Sequence, residues 1–263
     1  MVHCGGRWSG SAPKDMSKIA IIAAMEREVR PLTRRWKFRT LEYGGRQYRL
    51  FENGDAVLIC GGIGAEAARR ATEAVIQEVR PVRVVSVGFA GALDSTLKVA
   101  DMFEPRTVIN VADGVRSETG SGQGMLASYA TVAGKEQKRL LGTAYGAAAV
   151  DMEAAAVAQG AQVRGIEFAA LKAISDAADF SMPATERFVS GEGRFRTANF
   201  ALHVAVRPWL WKSTIALSRN SARASRALCA AIEGYLKRET FTVGLNQKQN
   251  QPELVGGHPV EKR

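Results

Sequence analysis

Small and acidic residues stand at five places where an apolar segment of the chain turns into a loop or a helix. These places are Glu28, Gly61 to Gly64, Phe89 to Gly91, Asp151 to Glu153, and Ser175-Asp176. Ligands of α/β sheets collect at the carboxyl ends of the strands, where such turns lie. Carboxylates at these ends can transfer protons or accept hydrogen bonds, so Glu28, Glu153 and Asp176 are candidates for catalysis or binding.

Each of these features also has a purely structural interpretation. Gly-Gly-Ile-Gly at 61–64 is more often a tight strand-to-helix turn, and it lacks the lysine of a phosphate-binding P-loop. Asp176 could cap the next segment of the chain, and Glu153 could be a first-turn acid that complements a helix dipole. Taken singly, none of them identifies a function.

The elements that must position these residues alternate between apolar strands and amphipathic helices. IAIIAA at 19–24, AVLIC at 56–60 and VRVVSVG at 82–88 read as buried strands, and further strands are expected near 105–111, 125–132 and 167–174. Two or three strands fall within 40–60, with turns at Gly44-Gly45 and Asn53 to Asp55. Helices are expected from Met25 to Trp36, at 65–79, 135–145 and 152–163, and over 213–237. The alternation predicts an α/β fold around a mainly parallel or mixed central sheet.

The chain divides into one domain with loose ends. We expect a flexible leader over 1–17, a folded domain over 18–238 and a disordered tail over 239–263. Within the domain, 183–205 could form one interrupted helix, and Pro208 breaks the chain before the long helix. The leader lacks the apolar middle of a signal peptide, and no apolar run approaches the ~20 residues that cross a bilayer. These features predict a cytoplasmic, soluble protein.

The 263 residues carry a net charge of +10, and they include three cysteines and three histidines. The cysteines are odd in number and far apart, which argues against a disulfide framework or a zinc site, so no metal is expected. Ten basic and four acidic residues lie within 181–240. Such a basic surface could attract an anionic membrane face or an acidic substrate, or it could simply be a solvated helix. No nucleic-acid-binding signature accompanies it.

Five strings in order carry a resemblance to a known family. They are IAIIAAMEREV (19–29), GGIGAEAA (61–68), VSVGFAGALDSTLKVAD (85–101), AVDMEAAAVAQ (149–159) and KAISDAAD (172–179). Together they resemble the nucleoside phosphorylase/nucleosidase family, and most closely its 5′-methylthioadenosine/S-adenosylhomocysteine nucleosidase branch. The resemblance implies a single α/β/α domain with a mixed, partly barrel-like sheet. It also implies assembly into dimers or larger homo-oligomers and no cofactor.

The resemblance also implies roles for individual residues. Asp176 matches the acid that protonates or hydrogen-bonds N7 of a leaving adenine, which requires a carboxyl whose pKa is raised, and Ser175 would orient it. Glu153 matches the carboxylate that accepts hydrogen bonds from the ribose hydroxyls. The remaining matched positions would line the pocket: Met152 beside the sugar, Ile63 near the 5′ substituent, and Phe89, Ala90 and Gly91 around the sugar and base.

Glu28 bears on the choice between water and phosphate as the nucleophile. It matches the carboxylate that activates water in nucleosidases, whereas phosphorylases present a Gly-Asp-Pro-x-Arg loop that this chain lacks. Hydrolysis of a 5′-substituted adenine nucleoside is therefore favoured. Arg27 and Arg30 flank Glu28 and keep phosphorolysis open. A catalytically inactive nucleoside-binding relative is a further alternative, although retention of Glu28, Glu153 and Asp176 argues against it.

The chain departs from the family pattern in three segments. The segment 112–124 is short where nucleosidases carry a lid, Val132 and Ala133 stand where a Phe-Ile pair usually covers the base, and Phe89 replaces a small residue. The first two differences predict an open site that takes a larger 5′ substituent. The basic segment His203 to Trp211 is more similar to hopanoid-associated phosphorylases. That similarity implies release of adenine from an adenosylated lipid, with peripheral membrane contact, as an alternative.

Overall fold

The computed structural model of the chain describes residues 18–180 and 208–249, with the backbone alone described for 208–213 and 240–249. Within these residues no helix combines the length and apolar character that crossing a membrane requires. The predicted leader 1–17 and the predicted interrupted helix at 183–205 lie outside the described residues.

In this described part of the chain, eleven strands form one mixed sheet. They are β1 (Ile19–Ala23), β2 (Lys37–Tyr43), β3 (Arg46–Asn53), β4 (Ala56–Cys60), β5 (Arg83–Ala92), β6 (Met102–Phe103), β7 (Thr107–Asn110), β8 (Arg116–Glu118), β9 (Met125–Ser128), β10 (Ala149–Asp151) and β11 (Glu167–Asp176). Their order is β2-β3-β4-β1-β5-β10-β9-β7-β8, while β11 pairs with β5 and β6. The predicted mixed sheet and the turns at 44–45 and 53–55 are thereby confirmed.

The long strand β5 organises the sheet. It pairs in parallel with β1 and β11 and antiparallel with β10, and β1 pairs in parallel with β4. The carboxyl ends of β1, β4, β5 and β11 therefore meet at one edge. In the antiparallel register Val150 lies opposite Gly91, and a bulge between Ile174 and Asp176 places Asp176 beside the same glycine. The carboxyl ends of β1, β4, β5, β10 and β11 thus lie close together.

Helices cover both faces of the sheet. Residues 18–180 and 208–249 contain five: α1 (Glu26–Thr33), α2 (Ala65–Val79), α3 (Lys135–Tyr145), α4 (Ala154–Gln162) and α5 (Pro208–Gln249). The apolar faces of α2 and α4 pack against one side of the sheet. On the other side α1 packs through Val29 and Leu32, next to Leu228 and Ile232 of α5. This arrangement confirms the predicted α/β/α layering.

A close approach explains one of the glycines at the end of β4. A Cβ atom on Gly61 would lie 2.8 Å from the Ala67 carbonyl oxygen and 2.8 Å from the Ala71 Cβ. Only a glycine leaves room for α2 to pack this closely behind the strand. Three residues further on, Gly64 has a φ of 94°, a conformation that glycine adopts without strain. Helix α2 begins at the residue after it.

Two expectations about the C-terminal part were wrong. Pro208 does not break the chain ahead of the long helix; it is the first residue of α5, a position in the first helical turn to which proline is well suited. The helix also continues beyond its predicted end at 237, to Gln249. Sequence patterning further missed the short strands β6, β8 and β10, which carry too few residues to show an alternation.

We predict that Leu228 anchors α5 to the sheet. The side chain is fully buried, so Leu228→Ala should lower the free energy of unfolding by about 2–5 kcal/mol. Ile215→Ala on the same helix is the matched control, because Ile215 is 52% exposed and its loss should change stability by less than about 0.5 kcal/mol. Urea denaturation measures both. If Leu228→Ala and Ile215→Ala lowered the free energy of unfolding equally, α5 would not pack against the sheet as described.

Candidate active site

A cavity of about 820 Å³ opens at the edge where the strand ends converge. All nine residues to which the family resemblance gives a role line it: Glu28, Ile63, Phe89, Ala90, Gly91, Met152, Glu153, Ser175 and Asp176. Val132 and Ala133, at the positions where a Phe-Ile pair was expected, line it as well. The volume lies in the upper part of the ~300–1,000 Å³ range typical of small-molecule sites. One concave site therefore gathers the candidate residues.

Glu28 enters the cavity from the first turn of α1 and is 2% exposed. Its Oε2 accepts a long hydrogen bond from the Met25 backbone N–H at 3.4 Å and lies 3.2 Å from where a Cβ on Gly88 would be. The glycine in β5 thus makes room for this carboxylate. The helix is held in place from outside, because Ser225 of α5 donates to the Glu28 carbonyl oxygen at 2.9 Å.

The surroundings of Glu28 favour its protonated form. Burial away from water raises the pKa of Glu28 to about 7, and the nearby Glu153 raises it as well, against smaller lowering effects of Arg27 and Lys172. A carboxyl with this pKa is ionised in about half of the molecules near neutral pH. It can therefore take up a proton from water under physiological conditions.

Glu153 faces the cavity from the start of α4, and backbone groups fix both of its oxygens. Oε1 accepts the Gly64 N–H at 2.7 Å, and Oε2 accepts the Met152 N–H at 3.3 Å. The glycine run after β4 therefore holds a carboxylate from a distant part of the chain. Burial and the charge of Asp151 raise the pKa of Glu153 to about 7.

Asp151, not Glu153, caps α4. Its Oδ2 accepts the Ala154 N–H at 2.9 Å and pairs with Lys172 at 2.9 Å, while Oδ1 accepts the Ser128 hydroxyl at 2.6 Å. Lys172 also donates to the Ser86 hydroxyl at 2.9 Å. This buried network satisfies both ions and leaves Glu153 directed into the cavity rather than serving as a helix cap.

Asp176 is held by two side chains at the end of β11. The Ser175 hydroxyl donates to its Oδ1 at 2.6 Å, and the Lys138 ammonium pairs with its Oδ2. Lys138 also donates to the Ala177 carbonyl oxygen at 2.7 Å. A Cβ on Gly91 would lie 2.9 Å from Oδ2, so glycine is required beside the carboxylate. These contacts position Asp176 for a ligand, in place of the capping role that its sequence context allowed.

The sequence analysis did not identify the buried Lys138 and Lys172 as site residues, although the position of each in the sequence is unusual. Lys172 interrupts the apolar strand Phe168–Ala173, where a charge needs a buried partner. Lys138 lies three residues before Leu141 on the buried side of α3. Neither signal reveals the partner, because Asp151 and Asp176 are distant in sequence.

Comparisons with known proteins agree with the geometry. The model of the family described as the phosphorylase superfamily matches residues 18–133 and 113–205. A 5′-methylthioadenosine/S-adenosylhomocysteine nucleosidase of Halalkalibacterium halodurans is 36% identical over 90 residues, which cover 33% of this chain and 39% of that protein. The chain thus matches well under half of the length of this curated relative.

Solved structures share the fold. The apo 5′-methylthioadenosine nucleosidase of Arabidopsis thaliana matches with a TM-score of 0.66 and 18% identity, over 86% of this chain and 97% of that one. The Colwellia psychrerythraea 5′-methylthioadenosine/S-adenosylhomocysteine nucleosidase in complex with adenine matches with a TM-score of 0.56 and 23% identity. The match covers 62% of this chain and 83% of that one. The Helicobacter pylori futalosine hydrolase matches with a TM-score of 0.55 and 23% identity, over 61% of this chain and 88% of that one. At these identities the likeness establishes the fold alone.

We predict a pH-dependent stabilisation when Glu28 is replaced by glutamine. Since folding raises the pKa of Glu28 from 4.5 to about 7, the folded state binds more protons than the unfolded state between these values. The free energy of unfolding therefore falls as pH rises from 4.5 to about 7. Above this range the full free-energy cost of the ionised, buried Glu28 is present. Glu28→Gln should raise the free energy of unfolding near pH 8 by on the order of 1–3 kcal/mol relative to its effect near pH 5.

Urea denaturation at the two pH values measures this difference. Glu26→Gln on the partly exposed side of the same helix controls for the loss of a negative charge. An effect of Glu28→Gln that is the same at both pH values would contradict the account.

Proposed function

The chain belongs to the phosphorylase superfamily, and from its cavity we propose that it hydrolyses the N-glycosidic bond of a 5′-substituted purine nucleoside with adenine as the leaving base. The observation that carries the proposal is the convergence of Glu28, Glu153 and Asp176 in one cavity, each held by different partners. The similar proteins named as nucleosidases and as a hydrolase support it.

Water is the nucleophile in this proposal because Glu28 occupies the inner end of the cavity. With a pKa of about 7, it can accept a proton from water as the water attacks the anomeric carbon. The same carboxylate repels a phosphate dianion placed at that carbon. Phosphorolysis, which Arg27 and Arg30 kept open, is the alternative.

Glu153 binds the ribose in this proposal. Its two oxygens are already oriented by the Gly64 and Met152 N–H groups, and each keeps a lone pair for a sugar hydroxyl. The Met152 thioether and the Ile63 side chain line the same part of the cavity and provide apolar contact for the sugar and its 5′ substituent.

Asp176 and Lys138 together supply the proton for the leaving base. The sequence indicated a lone carboxyl kept protonated by burial, but the ion pair with Lys138 provides a proton source of its own. A proton passes from the Lys138 Nζ to Oδ2 of Asp176 and from that oxygen to N7 of adenine. Lys138 is left neutral, and the bonding electrons of the broken C–N bond remain with the protonated base.

We predict that product identity and phosphate dependence will establish the nucleophile. The protein is incubated with adenosine, methylthioadenosine or adenosylhomocysteine, each with and without phosphate, and the sugar product is identified. The free sugar should form at a rate independent of phosphate, and Glu28→Gln should lower kcat by ~10²–10⁴ while adenosine still binds. Accumulation of a sugar 1-phosphate would replace the hydrolase by a phosphorylase.

We predict that Lys138 speeds only the step in which the protonated base leaves the sugar. Lys138→Met and Asp176→Asn should each lower kcat for adenine nucleosides by at least about tenfold. Both should spare para-nitrophenyl riboside, whose leaving group departs without a proton. Lys135→Met, on the exposed side of α3, is the matched control. Equal losses on both substrates would assign Lys138 a structural role.

A further inference from the structure

The outer part of the cavity is lined by arginines from two helices. Arg27, Arg30 and Arg34 come from α1 and its C-terminal cap, and Arg226 comes from α5. The spacing of the first three, at i, i+3 and i+7, places them along one side of α1. These arginines are exposed, so they lie at the outer part of the cavity, whereas the buried Glu28 and Asp176 lie at its inner end.

The positive charge of three of these arginines is not balanced within the part of the chain that the structure describes. No ion pair or hydrogen bond from the guanidinium of Arg30, Arg34 or Arg226 to another described residue is present. On α1, Glu26 pairs with Arg49 at 2.9 Å, and Glu28 is turned into the inner cavity. Like charges three and four residues apart destabilise a helix, so an anion bound here would relieve the repulsion.

The adjoining helix α5 adds hydroxyl groups to this part of the cavity. Ser218, Ser221 and Ser225 of α5 succeed one another at i, i+3 and i+7 and line the cavity. Ser225 uses its hydroxyl proton on the Glu28 carbonyl oxygen, while Ser218 and Ser221 are partly or fully exposed to the cavity. Guanidinium and hydroxyl donors that line the same part of a cavity are the groups that bind phosphate and carboxylate oxygens.

We propose that the outer cavity binds an anionic group, a phosphate or a carboxylate, carried on the 5′ side of the nucleoside. This inference rests on the proposed function. An anion attached to the substrate fits better than a free phosphate nucleophile because Glu28 occupies the reacting end. Arg34 lies six residues beyond Glu28, which is about 9 Å along the helix axis. This separation suits a 5′ substituent and not a group that attacks the anomeric carbon.

Kinetics with matched substrates test the proposal. Adenine release is measured with adenosine, methylthioadenosine, adenosine 5′-phosphate and adenosine 5′-carboxylate, so that the phosphate and carboxylate cases are distinguished. For at least one anionic substrate, kcat/KM should exceed that for adenosine by about tenfold or more, and added salt should reduce the advantage. The double variant Arg34→Ala/Arg226→Ala should abolish the preference. Arg35→Ala is the control, since Arg35 is exposed and does not line the cavity.

Equilibrium binding separates failure of this inference from failure of the proposed function. If no adenine is released from any substrate, the proposed function fails, and calorimetric binding of adenosine 5′-phosphate against adenosine still tests the anion site. Two results would overturn the inference: neither anionic nucleoside is preferred over adenosine, or the double variant keeps the preference. Stimulation by inorganic phosphate that the double variant loses would assign the arginines to a phosphate nucleophile and would also overturn it.

Discussion

Holding several carboxylates together away from water is the physical constraint on which the site depends. The sheet brings four of them to one edge: Glu28, Asp151, Glu153 and Asp176. Ionised carboxylates buried side by side are strongly disfavoured unless cations or hydrogen bonds compensate them. The structure meets this constraint with lysines for two of the carboxylates and with backbone N–H donors for the other two.

Two of the carboxylates have a lysine and two do not. Lys172 pairs with Asp151 and Lys138 pairs with Asp176, so each of these acids is held in a fixed position by a lysine. Glu28 and Glu153 have backbone donors instead, and burial raises the pKa of each to about 7. In the proposed mechanism the lysine-paired Asp176 activates the leaving adenine. Glu28, which has no ion pair with a lysine among the described residues, has a pKa of about 7.

Much of this arrangement was predictable from the sequence, because strand ends and glycine turns are local patterns. The strand-helix alternation indicated the layered fold, and the five ordered strings contain the nine residues expected to contact the nucleoside, but not the outer arginines and serines. The lysine partners of Asp176 and Asp151 were not predictable, since ion pairs between distant segments leave no local pattern. The full extent of α5 was not predictable either, because the contacts near Leu228 that anchor the helix join segments that are distant in sequence.

The central claim is that Glu28 titrates near neutral pH within the folded protein. Carbon-13 NMR of protein labelled at the glutamate side-chain carboxyl carbon measures this directly, with the Glu28→Gln variant identifying the signal. The account predicts a midpoint near pH 7 for Glu28. A midpoint near the ordinary value of 4.5 would show that burial does not hold a proton on this carboxyl and would contradict its role as the base that activates water.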